Sequence, residues 1–175
     1  MNERIMRFDA DALERHMEGF AALLVDAVEG GASVNFMLPF ASDQARAYWR
    51  GIVPAVADGR IVLFAALAGG RVLGSVQLHP APQPNQTHRA DIAKLLVHST
   101  ARRQGLGRAL MAAAEASALA HGRTLLTLDT IAGSDAERLY PALGYRRAGV
   151  IPGYARMPDG PLGDTVVFYK TLTAS

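Results

Sequence analysis

The stretch Arg102-Arg103-Gln104-Gly105-Leu106-Gly107-Arg108-Ala109-Leu110 restricts the fold of this chain more than any other. Directly before it, Ala90-Asp91-Ile92-Ala93-Lys94-Leu95-Leu96-Val97 predicts a strand. Directly after it, residues 109–120 are rich in Ala, Leu and Met and predict a helix. A strand, a glycine turn and a helix start, in that order, make an anion cradle. The first amides of a helix lack internal partners and together carry about half a positive charge. Glycine lets the backbone approach a ligand with no Cβ in the way. Two arginines and two glycines at the mouth therefore suit a diphosphate. Arg102, Arg103, Gln104, Gly105, Leu106, Gly107 and Arg108 are its candidate contacts.

Three phosphate-binding patterns place glycines in such a turn. A Walker P-loop needs Gly-Lys followed by Ser or Thr, but Gly107 is followed by Arg108 and Ala109. The dinucleotide fingerprint needs a third small residue where Leu110 stands, and a first glycine much closer to the strand end than Gly105 is to Val97. Asp129 lies at about the right distance to mimic its ribose-binding acid, which is little support without that glycine. The remaining pattern is Arg/Gln-x-x-Gly-x-Gly/Ala, matched by Arg102, Gly105 and Gly107. It resembles the acetyl-coenzyme A pyrophosphate loop of the GNAT acetyltransferases, which implies acetyl-coenzyme A as co-substrate.

Composition narrows the alternatives. A chain of 175 residues, 50% hydrophobic, is expected to fold as one domain (1–175) with a substantial core. Without cysteine there is no disulfide framework, thiol nucleophile or thiolate metal site. His16, His79, His88, His98 and His121 show no ligand spacing, so no metal is expected. The net charge of +2 is too small to argue for nucleic acid. The N-terminus has no apolar signal region, and the longest apolar run, residues 61–68, is far too short to span a membrane. A soluble, cytoplasmic protein with no membrane partner is expected, and a homodimer is compatible with the reading.

In chain order, residues 4–8 predict a short strand. Leu13, Met17, Phe20, Ala21, Leu24, Val25 and Val28 keep helical spacing from about Asp9, with Gly30-Gly31 as the stop. Residues 31–40 predict an irregular apolar loop that folds onto the core or lines a pocket. A helix starting at Ser42 is expected to be kinked or ended by Pro54. Residues 60–67 and 71–78 predict two strands joined by Gly69-Gly70, and the prolines of 80–84 predict a loop. Beyond the central helix, residues 125–130 predict a strand reached by a right-handed parallel crossover. Ser134-x-x-Glu137 predicts a capped helix through Leu143, closed by Gly144. Residues 145–150 and 165–172 predict the last strands, and residues 151–160 between them are too rich in Pro and Gly for a strand.

The resulting order, β-α-α-β-β-β-α-β-α-β-β, is also that of the GNAT fold. A second motif agrees: Ala136-Glu137-Arg138-Leu139-Tyr140-Pro141-Ala142-Leu143-Gly144-Tyr145 is similar to the family's Ala-x-x-x-Tyr-x-x-Leu-Gly-Phe/Tyr helix. The resemblance implies an α/β domain with a mixed, mostly antiparallel sheet, splayed central strands and about four flanking helices. Within the family, Gly30-Gly31-Ala32-Ser33-Val34, Asp129-Thr130, Pro152-Gly153-Tyr154 and Pro158-Asp159-Gly160 resemble the tabtoxin-resistance acetyltransferases, which act on a small amino-acid-like toxin.

An N-acetyltransferase needs a neutral amine. Deprotonating a side-chain amine at neutral pH takes about 4–5 kcal/mol, and an α-amine only about 1 kcal/mol. A base must take that proton and an acid must meet the departing thiolate. Tyr140 is the candidate acid, since a phenol can protonate or hydrogen-bond a thiolate; the resemblance implies the same role. Pro141 either re-aims this phenol or bends its helix. Asp129, which closes a parallel strand, and Asp91, near the start of the central strand, compete as base, with Asp129 preferred. The resemblance further implies that backbone groups of Leu95 and Val97 hold the pantetheine and thioester, the Leu95 amide acting as oxyanion donor. Phe36 and Tyr154 are candidate substrate contacts. The expected acceptor is a primary amine on a small molecule, acetylated by direct attack. A protein or peptide acceptor and a non-catalytic acyl-coenzyme A sensor are the alternatives.

Overall fold

The computed structural model describes residues 4–173. Its elements are β1 (Arg4–Phe8), α1 (Ala10–Arg15), α2 (Met17–Glu29), α3 (Ser42–Ala57), β2 (Val62–Ala68) and β3 (Arg71–Pro80). They continue as β4 (Arg89–Val97), α4 (Leu106–Ala120), β5 (Leu125–Ile131), α5 (Asp135–Ala142), β6 (Arg146–Arg156) and β7 (Leu162–Thr171). The strands form one sheet in the order β1-β2-β3-β4-β5-β7-β6. Every neighbouring pair is antiparallel except β4 and β5, which the α4 crossover makes parallel.

That one parallel pair is incomplete. β4 and β5 are in register only at Arg89↔Leu125, Ala90↔Leu126 and Asp91↔Thr127, then part, although β4 runs on to Val97 and β5 to Ile131. On its other side β4 stays paired with β3 as far as Gly74↔Val97. The parting coincides with a bulge: Ser75 faces Leu96 and Gln77 faces Ala93, so Lys94 and Leu95 stand against Val76 alone. Lys94 takes φ 49°, and the Ser75 hydroxyl donates to its carbonyl at 3.1 Å. A bulge bends its strand and sharpens the twist, which turns β4 away from β5. From Ile92 onward, the β4 edge facing β5 has no strand partner among the described residues.

Helices cover both faces. α4 lays Leu106, Leu110, Met111, Ala114 and Ala118, an i/i+4 stripe, on Val76, Leu78 and Ile92. α4 approaches β3 at Gly74, where a Cβ would lie 2.9 Å from Leu110 Cδ1 and from the Leu96 carbonyl oxygen. On the opposite face α1–α3 bury Phe20, Leu24 and Trp49 against Leu63, Val72 and Leu96. α2 is also tied to the turn after β4. Asp26 accepts from the Ser99 amide at 2.8 Å and from its hydroxyl at 2.6 Å. Asp26→Ala, which leaves that turn untied, is expected to cost about 1–3 kcal/mol, read as a lower urea midpoint at unchanged slope.

Several sequence expectations are corrected here. The first helix is two helices, because the His16 backbone leaves helical geometry while its ring packs edge-on against Phe8 at 5.4 Å and its Nδ1 lies 3.0 Å from the Ala12 carbonyl oxygen. The helix count agrees with the expected number of about four: five α-helices flank the sheet among the described residues. Pro54 neither ends nor breaks α3, which continues to Ala57; it lies in the last turns and the preceding Arg50 turn is exposed to solvent. α5 likewise passes through Pro141, with the Leu143 amide still bonded to the Leu139 carbonyl at 3.2 Å. The segment 151–160 does carry strand: β6 continues through Pro152 and Gly153 to Arg156. It can do so because β6 is an edge strand and a register shift between Ile151 and Ala155 absorbs both residues.

Candidate active site

The glycine turn opens directly onto the parted strands. Gly105 caps α4 in the left-handed region at φ 87°, and Arg103 is left-handed too at φ 62°. Buried Leu106 anchors the turn beneath. Gly107 lies in the first turn of α4, where a Cβ would come within 3.3 Å of Leu139 Cδ2 on α5. The unpaired amides at the start of α4 thus face outward beside the wedge between β4 and β5. Around them, Arg102 Nε donates to the Val97 carbonyl at 3.2 Å, Arg103 donates to Asp135 at 3.2 Å, and Gln104 donates to the Thr100 carbonyl at 3.3 Å. These contacts hold the arginines as a rim, and Arg108 is exposed on the helix.

Tyr140 packs on the α4 side of the wedge with 5% of its surface exposed, its ring 5.6 Å from Phe168 and 5.7 Å from Tyr145. Burial first, and the negative Asp129 second, push its pKa above the ordinary 10.0. The phenol therefore keeps its proton and remains a hydrogen-bond donor throughout the working pH range. The side chains of Leu95 and Val97 pack partly buried against the α4-side core, so any contact they offer the wedge is through backbone.

The other side of the wedge is polar. On β3, Ser75 and Gln77 are fully buried. The Gln77 amide nitrogen donates to the Tyr48 hydroxyl at 3.0 Å, and its oxygen accepts from His79 Nε2 at 2.9 Å. That contact assigns the Nε2–H tautomer to His79, leaving Nδ1 as acceptor. Burial lowers the His79 pKa below 6.5; Asp91 opposes this and Lys94 adds to it, so the ring is neutral at pH 7. Across β4, Asp91 Oδ1 receives both Arg89 at 2.5 Å and the Thr127 hydroxyl. Asp129 is freer: Oδ2 accepts from the Thr165 hydroxyl at 3.0 Å, and the carboxylate lines a cavity of about 30 Å³ with Ser33, Asn35, Tyr154 and Thr165. The loop after α2 closes over this cavity, its Leu38 amide bonding the Pro158 carbonyl at 2.9 Å.

Residues 31–145 match the acetyltransferase (GNAT) family. The chain belongs to that family. Over 106 residues it is 36% identical to an uncharacterized N-acetyltransferase in the hisH-hisA intergenic region of Azospirillum brasilense; the match covers 59% of this chain and 61% of that relative's length. In structure it is similar to an N-acetyltransferase from Staphylococcus aureus Mu50 (TM-score 0.80, 19% identity, 99% of this chain and 100% of that one). It is similar also to yncA, a putative acetyltransferase from Salmonella typhimurium solved with its cofactor acetyl-coenzyme A (TM-score 0.76, 17% identity, 100% and 96%). At these identities the two structures show the GNAT fold alone.

Within this GNAT domain the expected site residues divide into three groups. The turn 102–108, Leu95, Val97 and Tyr140 border one wedge. Asp129 and Tyr154 share the small cavity, and Tyr154 is 57% exposed. Phe36 is half-buried, its ring 4.6 Å from that of Phe40 and edge-on to Tyr48 at 5.5 Å. Asp91 lies lower on β4, at the last paired position before the strands part. Sequence reasoning missed Tyr48, Gln77, His79 and Lys94. Their signal was present in part: Ser75, Gln77 and His79 alternate with apolar Val76 and Leu78, a polar row in a strand otherwise suited to burial on both faces. Among the described residues no cluster of His, Asp or Glu is placed to hold a metal, and no helix is long and apolar enough to cross a membrane.

Proposed function

We propose that this protein transfers the acetyl group of acetyl-coenzyme A to a primary amine of a small molecule by direct attack in a ternary complex. The observation that carries the reading is the wedge between β4 and β5, with the glycine cradle at its mouth and Tyr140 and Asp129 on its two sides. The pyrophosphate is held by the α4 amides with Arg102, Arg103 and Arg108 at the rim. The open β4 edge accepts the pantetheine, and the Leu95 amide meets the developing oxyanion. The acceptor nitrogen bonds to the thioester carbon as the carbon–sulfur bond breaks, its proton passes to a base, and Tyr140 donates a hydrogen bond to the departing sulfur.

Asp129 is the base favoured by the geometry, because it faces the cavity with one oxygen uncommitted, whereas Asp91 is engaged by Arg89 and Thr127. The loop bonded across to Pro158 and the polar residues it brings beside Asp129 favour a small acceptor over a protein tail. They also agree with an amino-acid-like acceptor, since Ser33, Asp129, Thr130 and Tyr154, all from the tabtoxin-resistance-like segments, line that cavity. Titration with acetyl-coenzyme A, then thiol release with amine and peptide panels, tests the reading; absence of acetyl-coenzyme A binding overturns it. Asp129→Asn is expected to lower kcat by about 100- to 10,000-fold and remove the rising limb of the pH–rate profile, with Asp91→Asn far milder. The reverse ranking assigns the base to Asp91.

A further inference from the structure

We infer that Lys94 is the anion-reading residue of the acceptor site, its ammonium seating the carboxylate of an α-amino-acid-like acceptor whose amine points to Asp129. This rests on the small-amine reading above and names the substrate class within it.

The placement comes from the bulge. Lys94 is one of the two β4 residues set against Val76, and it holds φ 49°, a left-handed value unusual for a side chain with a Cβ. Strain of this kind persists where the surroundings over-determine it. The bulge turns the Lys94 side chain to the α1–α3 face, where its Nζ lies 5.4 Å from the Tyr48 ring centroid and 5.9 Å from that of Phe36. Phe36 belongs to the same loop as Ser33 and Asn35, which line the Asp129 cavity, so the ammonium stands beneath that loop and within reach of the Asp129 charge.

Among the described residues this ammonium forms neither an ion pair nor a hydrogen bond; two aromatic faces are its only specific partners. Burial lowers its pKa, while Asp129 is close enough to raise it again. A lysine has three donors to place, and a half-buried cation with none of them used is poised for an anion brought from outside. The other lysine is the contrast: Lys170 spends its donors on Glu115 at 2.7 Å and the Leu143 carbonyl at 2.8 Å. Lys94 and Asp129 therefore present one cation and one anion, near each other but unpaired, across the parted strands. A zwitterion satisfies both at once. A plain alkylamine leaves Lys94 unanswered.

Because Lys94 and Lys170 are the only lysines, lysine labelled with ¹³C at Cε resolves the site by NMR in the protein with coenzyme A bound. A panel of L-amino acids is expected to include members that shift the Lys94 signal and raise its titration midpoint, while their methyl esters do neither. In turnover, the acids are expected to be preferred over their esters by about 10- to 100-fold in KM, with that preference lost in Lys94→Met and partly kept in Lys94→Arg. Equal use of acids and esters by the wild type, or a preference surviving in Lys94→Met, overturns the assignment while leaving acetyl transfer intact. A Lys94 signal unmoved by every amino acid overturns it as well. Binding of acetyl-coenzyme A with no amine acetylated overturns both this assignment and the function on which it rests.

Discussion

Tyr140→Phe is expected to lower kcat by about 100- to 10,000-fold while leaving acetyl-coenzyme A affinity nearly unchanged. The substitution removes one oxygen and keeps the ring, and the ring does the packing. It lies between Phe168 and Tyr145 in the α4-side core, so Phe preserves those contacts. What it removes is the donor proposed to meet the departing sulfur. Burial and Asp129 raise the Tyr140 pKa, which makes the phenol a weaker acid but a durable hydrogen-bond donor. An alkaline fall in kcat below pH 10 therefore does not come from Tyr140. Steady-state kinetics with parallel titration of acetyl-coenzyme A check the prediction. An unchanged kcat makes the phenol structural, and an equal loss of affinity moves its role to cofactor binding.

Gly105→Glu is expected to weaken acetyl-coenzyme A binding by at least about 100-fold, since each lost charge-assisted contact is worth about 1.5–3 kcal/mol. Two effects act together. The position is left-handed at φ 87°, which a side chain other than Asn or Asp adopts at a cost of about 1–2 kcal/mol. The carboxylate then stands at the positive end of α4, the proposed site of the diphosphate. No atom lies within 4 Å of the added Cβ, so the variant has room to fold. Gly105→Asn separates the two effects, because Asn tolerates the backbone and carries no charge; it is expected to keep most of the affinity. Calorimetry reads both variants and circular dichroism confirms that the fold persists. Gly105→Glu binding as tightly as the wild type removes the cradle from the mechanism.

The acid side of stability has a definite sign. The folded-state pKa of His79 is depressed, chiefly by burial, below its unfolded value of 6.5. At neutral pH the group contributes no difference, since it is uncharged in both states. As pH falls through 6.5 the unfolded chain binds a proton that the folded one resists, so stability declines. His79→Gln is expected to flatten that part of the urea-midpoint profile between pH 7 and 5.

What was legible in the sequence was local. The Gly69-Gly70 hairpin, the Ser134 cap and the Gly105 turn depend on neighbours a few residues apart, and each stands where its pattern put it. The Ser134 hydroxyl accepts from the Glu137 amide at 3.2 Å. Pro54 and the 151–160 segment were misjudged for the same reason. A proline's cost depends on whether the carbonyl it frees meets solvent and whether its strand is central or at an edge, and neither is a property of the neighbouring residues. The acceptor side lay further out of reach. Asp91 and Asp129 look alike in sequence; only register shows that Arg89 and Thr127 occupy one while the other faces a cavity. Lys94 reads as an ordinary polar position on a strand. Only the bulge against Val76, which depends on how β3 and β4 twist past each other, turns it toward Phe36 and Tyr48 and leaves its charge unpaired. The sequence by itself determined most of the elements, their order and the glycine turn before α4, because those follow from short-range backbone preferences. The tertiary structure alone decided where the strands part and which charges meet there, because those depend on packing between segments distant along the chain.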